Sequence, residues 1–282
     1  MISIMVQSIK GGVGKTTTTI HLAALLRSAY PEARVLVVDC DQQACLRSYF
    51  RVPLEKGDLY DFLINRHPLE SCTETISISR DGNQNIDLLM ASKRLADVDI
   101  QLATRPRREE ALKFRFREER VNEKYDFVLF DCPPSLNLLT YNVTLVGDYI
   151  LIPCNMDFLS LMGVQAIQEN LEMIGQYFSD LPKVLGIIPT FFDSRTNVSD
   201  VVLSQLKQVF GKKYPIFEPI RVDTNLKKAQ IRKETLFEFS PHSRAAEDYR
   251  SMFRSMGPTI CKEQPKRKLN RLVPSPGNET RQ

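Results

Sequence analysis

The chain has 282 residues, 43% of them hydrophobic, enough to bury the core of one large domain. Its formal net charge of +4 resides in residues 258–282, where six Lys/Arg face two Glu; the preceding residues balance 32 basic against 32 acidic side chains. Affinity for a polyanion must then come from charge arrangement. No run of about 18 uncharged apolar residues occurs, no basic leader precedes an apolar stretch, and the six cysteines (40, 45, 72, 132, 154 and 261) form no CxxC pair. A membrane span, secretion and a disulfide framework are disfavoured, and a cytoplasmic chain is expected.

The first element, Ile2–Val6, is a short apolar run with no polar alternation, the pattern of a strand buried on both faces. Residues 9–17 follow as IKGGVGKTT, and an Ala/Leu-rich stretch, Lys15–Ala29, closed by Tyr30-Pro31, predicts a helix. Strand, glycine loop and helix in that order are the context of a phosphate-binding loop. Gly11, Gly12, Val13 and Gly14 let backbone N–H groups wrap an anion, and the helix N-terminus adds its dipole. Lys15 is placed to reach the β- and γ-phosphates, with the Thr16 hydroxyl toward Mg²⁺ and Thr17 closing the nucleotide-binding segment.

Further apolar runs at 34–38, 127–130, 149–152 and 184–192 read as parallel strands, separated by segments long enough for crossover helices. The first of these delivers Asp39 and Asp41 to its C-terminal end, on one pleat side if the strand persists, and the second delivers Asp131. Between them, residues 105–120 interleave Arg with Glu109, Glu110, Glu118 and Glu119, which suits an exposed helix laced with i,i+4 pairs. From 200 to 240 the basic side chains cluster at 212–213, Arg221, Lys227-Lys228 and Arg232-Lys233, candidates for contact with DNA phosphates. After Gly257 the composition turns to Pro, Lys, Arg, Asn and Ser. The expected organisation is an ATPase domain over 1–257 and a basic, disordered tail over 258–282, the fold being a doubly wound, mostly parallel α/β sheet with helices on both faces.

Lys10, just before the glycines, is a second lysine that an ordinary phosphate loop does not need. With it, KGGVGKTT resembles the deviant Walker A box of the ParA/MinD family, whose members form an ATP-sandwiched homodimer. The resemblance extends over residues 1–255. Residues 35–42 resemble that family's D-x-D-P-Q box with Gln42 in place of Pro, residues 127–135 its hhhhDxPP box, and residues 191–197 its M-Y-D-S-R-T-N segment. It implies that Lys10 reaches the partner's phosphates, that Asp41 orients the attacking water, and that Asp39 and Asp131 face Mg²⁺ through water. Lys10, Lys15 and Asp41 are then the catalytic residues, and ATP and Mg²⁺ the cofactors.

The P-loop lies almost at Met1, so the resemblance is to the short, Soj-like ParA form without a helix-turn-helix extension. It implies a nucleoid-associated, cytoplasmic ATPase that binds DNA without sequence preference and partitions plasmid, chromosome or other cargo. A ParB-like adaptor would stimulate its weak hydrolysis. Asn225 stands where the family carries an arginine, which leaves Lys227 and Lys228 as substitutes. Two other readings stay open. A MinD-like membrane switch needs an amphipathic C-terminal helix, for which Pro265, Pro274 and Pro276 with scattered Leu269, Leu272 and Val273 are poorly suited, so no membrane partner is expected. An iron-protein-like relative would have only Cys132 and Cys154 as cluster ligands near the active edge.

Overall fold

The computed structural model of the protein describes residues 1–53 and 55–262. Along the chain come β1 (Ile2–Val6), α1 (Lys15–Ala29), β2 (Val35–Asp39), α2 (Cys45–Phe50), α3 (Leu59–Leu63), β3 (Thr73–Ser77) and β4 (Asn85–Leu89). Then follow α4 (Val98–Ala103), α5 (Ala111–Glu118), α6 (Val121–Lys124), β5 (Phe127–Asp131), α7 (Leu138–Thr144), β6 (Tyr149–Asn155) and α8 (Phe158–Ile174). The last elements are β7 (Lys183–Thr190), α9 (Asn197–Phe210), α10 (Thr224–Arg232), α11 (Leu236–Phe239) and α12 (Arg244–Lys262).

Among the described residues the strands form one sheet in the order β3-β4-β2-β5-β1-β6-β7, parallel except for the antiparallel edge strand β3. Successive strand residues point to opposite faces. Ile2, Ile4, Phe127 and Leu129 therefore enter one core with α1 and α12, whereas Met5, Val128 and Phe130 enter the other with α3, α5 and α8. Burial on both faces explains the uninterrupted apolar runs.

The doubly wound reading of the sequence holds, and three local expectations are corrected. Arg115 is 5% exposed instead of solvated: its guanidinium donates to the Phe62 and His67 carbonyls and pairs with Glu118 and Glu119, so the run from 105 to 120 is partly a core anchor. Strand β2 stops at Asp39, so Asp41 lies in the following turn and not on a shared pleat. Helix α12 runs through Pro258 to Lys262, past the expected start of the tail. Pro258 costs that helix one backbone bond, but burial of Met256 and Ile260 in the α1-side core holds the turn around it. The rest of the expected tail, residues 263–282, lies outside the described residues.

Candidate functional site

The strand order assembles the site. β1 lies between β5 and β6, and β5 lies between β1 and β2; in register, Val6 and Asp39 both flank Asp131. Parallel strands place the loop after β1 and the carboxylates ending β2 and β5 at one edge of the sheet. In the loop, Gly12 (φ 75°) and Gly14 (φ 90°) take left-handed conformations that a side chain would strain. Gly14 is also the N-cap of α1, and the Thr190 hydroxyl donates to the Val13 carbonyl at 3.0 Å, fixing the loop against β7.

Lys15 is 8% exposed, and its ammonium donates to the Lys10 carbonyl at 3.1 Å. Burial lowers its pKa, with the charges of Asp131 and Asp41 opposing that shift. A buried ammonium held by a backbone oxygen, under an open glycine cradle, fits a phosphate group. The Thr16 hydroxyl donates to Asp131 Oδ2 at 2.7 Å and the Thr19 hydroxyl to Oδ1 at 3.4 Å. Burial pushes the Asp131 carboxyl up to about 7, against the opposing pull of Thr16 and Lys15. Asp39 is raised well above the carboxylate range by burial and then by the Asp131 charge. Two buried carboxyls in register favour a cation between them and the phosphates, so the residues present fit Mg²⁺ as well as ATP.

Asp39 also organises the turn behind it, its Oδ1 accepting from the Asp41 N–H at 3.1 Å and its Oδ2 from the Leu46 N–H at 3.2 Å. Asp41 is half-buried at the rim, its carboxylate accepting from the Gln43 N–H at 3.0 Å, and Gln42 is exposed. Ala44 then adopts φ 49° as N-cap of α2, a left-handed position occupied by a residue with a Cβ.

Lys10 does not share Lys15's seat. Its ammonium pairs with Asp157 Oδ2 at 2.5 Å, both side chains being 33% exposed. Asp157, which the sequence reading missed, also accepts from the Asn155 amide and caps α8 through the Ser160 N–H. The signal for it was there: like Asp39 and Asp131, it follows an apolar strand adjacent to β1 or β5. Phe191, which opens the family-like segment 191–197 and had no site role in the sequence, stands at φ 53° with its ring edge 3.8 Å from where a Cβ on Gly14 would lie. It walls a cavity of about 240 Å³ beside Gly14 and Thr17, with Ile220, Val222, Leu226 and Tyr249 on the other sides. Gln230 of α10 closes that wall by donating to the Thr17 hydroxyl at 3.2 Å.

The residues singled out for DNA separate into two groups. The Arg221 guanidinium is engaged by Asp248 at 2.7 Å, and Lys227 lines the cavity beside the glycine loop. Lys228 and Arg232 are exposed on α10, with Lys233 half-buried as its C-cap. Cys132 and Cys154 are buried, and burial pushes the Cys154 thiol up to about 12.

Residues 1–182 match the family described as an AAA domain. The chain is 32% identical over 251 residues to the sporulation initiation inhibitor protein Soj of Bacillus subtilis, covering 87% of this chain and 94% of that protein. It is 34% identical over 243 residues to the chromosome-partitioning ATPase Soj of Thermus thermophilus, covering 86% and 90% of the two chains. Among solved structures, cobyrinic acid a,c-diamide synthase from Mycobacterium smegmatis with a bound ATP analog and magnesium superposes with a TM-score of 0.71 at 28% identity, covering 89% of this chain and 91% of that one. With two lysines flanking one glycine loop and two strand-end aspartates converging on it, the chain belongs to the ParA/MinD family of deviant Walker A P-loop ATPases.

Proposed function

We propose that this protein is a ParA-type partitioning ATPase, in which MgATP drives formation of a homodimer that binds DNA without sequence preference. One observation carries the reading: two lysines of one loop are held differently. Lys15 is buried over the glycine cradle, whereas Lys10 sits at the rim on a carboxylate, free to be exchanged for a partner's phosphate oxygens. The surroundings of Lys10 support a second copy there, because the first turns of α8 leave Phe158 and Leu159 each 65% exposed and Met162 57% exposed.

In this reading Gly11, Gly12, Val13, Gly14, Lys15, Thr16 and Thr17 hold the phosphates, and the apolar cavity against Phe191 takes the base. ATP supplies the scissile phosphoanhydride and Mg²⁺ neutralises charge on its oxygens. Thr16, together with Asp39 and Asp131 through water, would hold the ion, and Asp41 would orient the attacking water. Hydrolysis is slow in isolation and is stimulated by a ParB-like adaptor. ADP then returns the protein to the monomer and to weak DNA binding, which places it on the nucleoid in the ATP state.

Titration of a fluorescent duplex of arbitrary sequence tests the proposal. Binding is expected with ATP, to weaken steeply as salt rises, and to vanish in Lys15→Ala. Equal binding with ATP, ADP and no nucleotide contradicts the switch.

A further inference from the structure

The nucleotide edge connects through α2 to the basic cluster of α10, and the fold adds Arg51 to it. Asp39 holds the first turn of α2 by accepting from the Leu46 N–H at 3.2 Å. The other end of α2 rests on the C-terminus of α10. There the Lys233 ammonium donates to the Ser48 carbonyl at 2.8 Å, and the Tyr49 hydroxyl donates to the Glu234 carbonyl. Arg51, the exposed C-cap of α2, is thereby brought beside Lys233, the C-cap of α10.

These cations lack counter-charges. The side chains of Arg51, Lys228 and Arg232 are exposed and make no ion pair or hydrogen bond among the described residues, and the Lys233 ammonium has only a backbone oxygen. Several other surface cations are paired with carboxylates: Arg80 with Glu234 at 2.6 Å, Arg107 with Glu110 at 2.6 Å and Lys213 with Glu172 at 2.8 Å. Burial against α2, and next the Arg51 charge, hold the Lys233 ammonium below its ordinary pKa. Like charges crowded in this way favour an external anion. Lys228 and Arg232 stand one turn apart on α10, so the cations form a row, which suits a polymer of phosphates better than a single ion. Ile231 is the one exposed large apolar side chain of α10 among the described residues, which gives a lipid bilayer little to insert.

We propose that Arg51, Lys228, Arg232 and Lys233 form one strip that binds the phosphate backbone of nucleic acid, with α2 carrying its Arg51 end from the Asp39–Asp41 segment. The strip rests on the DNA-binding reading above and goes beyond it by assigning α2. It also offers the nucleotide a lever on DNA affinity, because the carboxylate facing the ion is the one that holds α2.

The test is duplex titration by fluorescence anisotropy, with ATP, across a salt series. Arg51→Ala and Arg232→Ala are each expected to weaken binding several-fold and to lower the salt slope by about one. Arg51→Lys keeps the slope, and so does Arg117→Ala on α5, a basic residue outside the strip. If wild type binds no duplex in ATP, the DNA reading fails and the strip with it. If wild type binds and Arg51→Ala matches its affinity and slope, the DNA reading stands and the strip is overturned. Unchanged duplex binding together with loss of sedimentation on phosphatidylserine vesicles in Arg51→Ala would assign the strip to lipid and overturn the proposal as well.

Discussion

His21 shows how a polar side chain inside α1 is satisfied and what that implies for pH. It is 1% exposed, stacked on Tyr249 with centroids 4.9 Å apart, and its Nδ1 lies 2.6 Å from the Thr17 carbonyl. Nε2 accepts from the Leu236 N–H at 3.0 Å, so the ring is neutral with its proton on Nδ1. Burial lowers its pKa to about 4 from an ordinary 6.5. A depressed histidine contributes stability that is complete above pH 6.5 and is lost as pH falls toward 4, at up to about 1.4 kcal/mol per pH unit. Asp131, raised to about 7, works in the opposite direction: its contribution is complete below about pH 4 and fades as pH rises through 7. The two are separated by difference. In urea denaturation at pH 7.5 and 5.0, wild type is expected to lose more stability on acidification than His21→Gln does, by about 1–2 kcal/mol. Equal losses in both proteins contradict the assignment.

At the scale of elements, the strands lining the site were legible because burial on both faces leaves their sequences continuously apolar, and α1 because Ala and Leu follow the glycine loop without a breaker. The edge hairpin β3–β4 was not, since the exposed side of β3 makes it alternate, with Thr75 and Ser77 exposed and Glu74 and Ile76 half-buried. Asp157 escaped notice because its function depends on Lys10, which only the adjacency of β1 and β6 brings near. Gly186 in β7 is a position where packing permits no side chain, because a Cβ there would lie 2.4 Å from the Phe217 ring, itself 7% exposed and packed in the core. Gly186→Ala is expected to destabilise by about 1–3 kcal/mol, read as a lower thermal midpoint. Wild-type stability in that variant would mean that the ring yields freely and that β7 is packed loosely against the strand-like segment at 216–217.

For the whole molecule, a chain neutral over its first 257 residues can bind a polyanion only by collecting cations on one surface, which α2 and α10 do with four cations that form no ion pair among the described residues. The same fold leaves the Lys10 rim and the apolar start of α8 side by side on the edge that carries the glycine loop. The proposed ATP-dependent dimer would use both, and dimerisation would double the basic strip, so oligomeric state is the variable on which the account turns. The decisive measurement is molar mass by light scattering, with ATP and Mg²⁺ and with ADP, for wild type, Lys10→Ala and Lys15→Ala. The account predicts a wild-type dimer with ATP and a monomer with ADP, a Lys10→Ala variant that binds ATP yet stays monomeric, and a Lys15→Ala variant that binds no nucleotide. A mass that ignores the nucleotide, or a Lys10→Ala variant that dimerises with ATP like wild type, contradicts it.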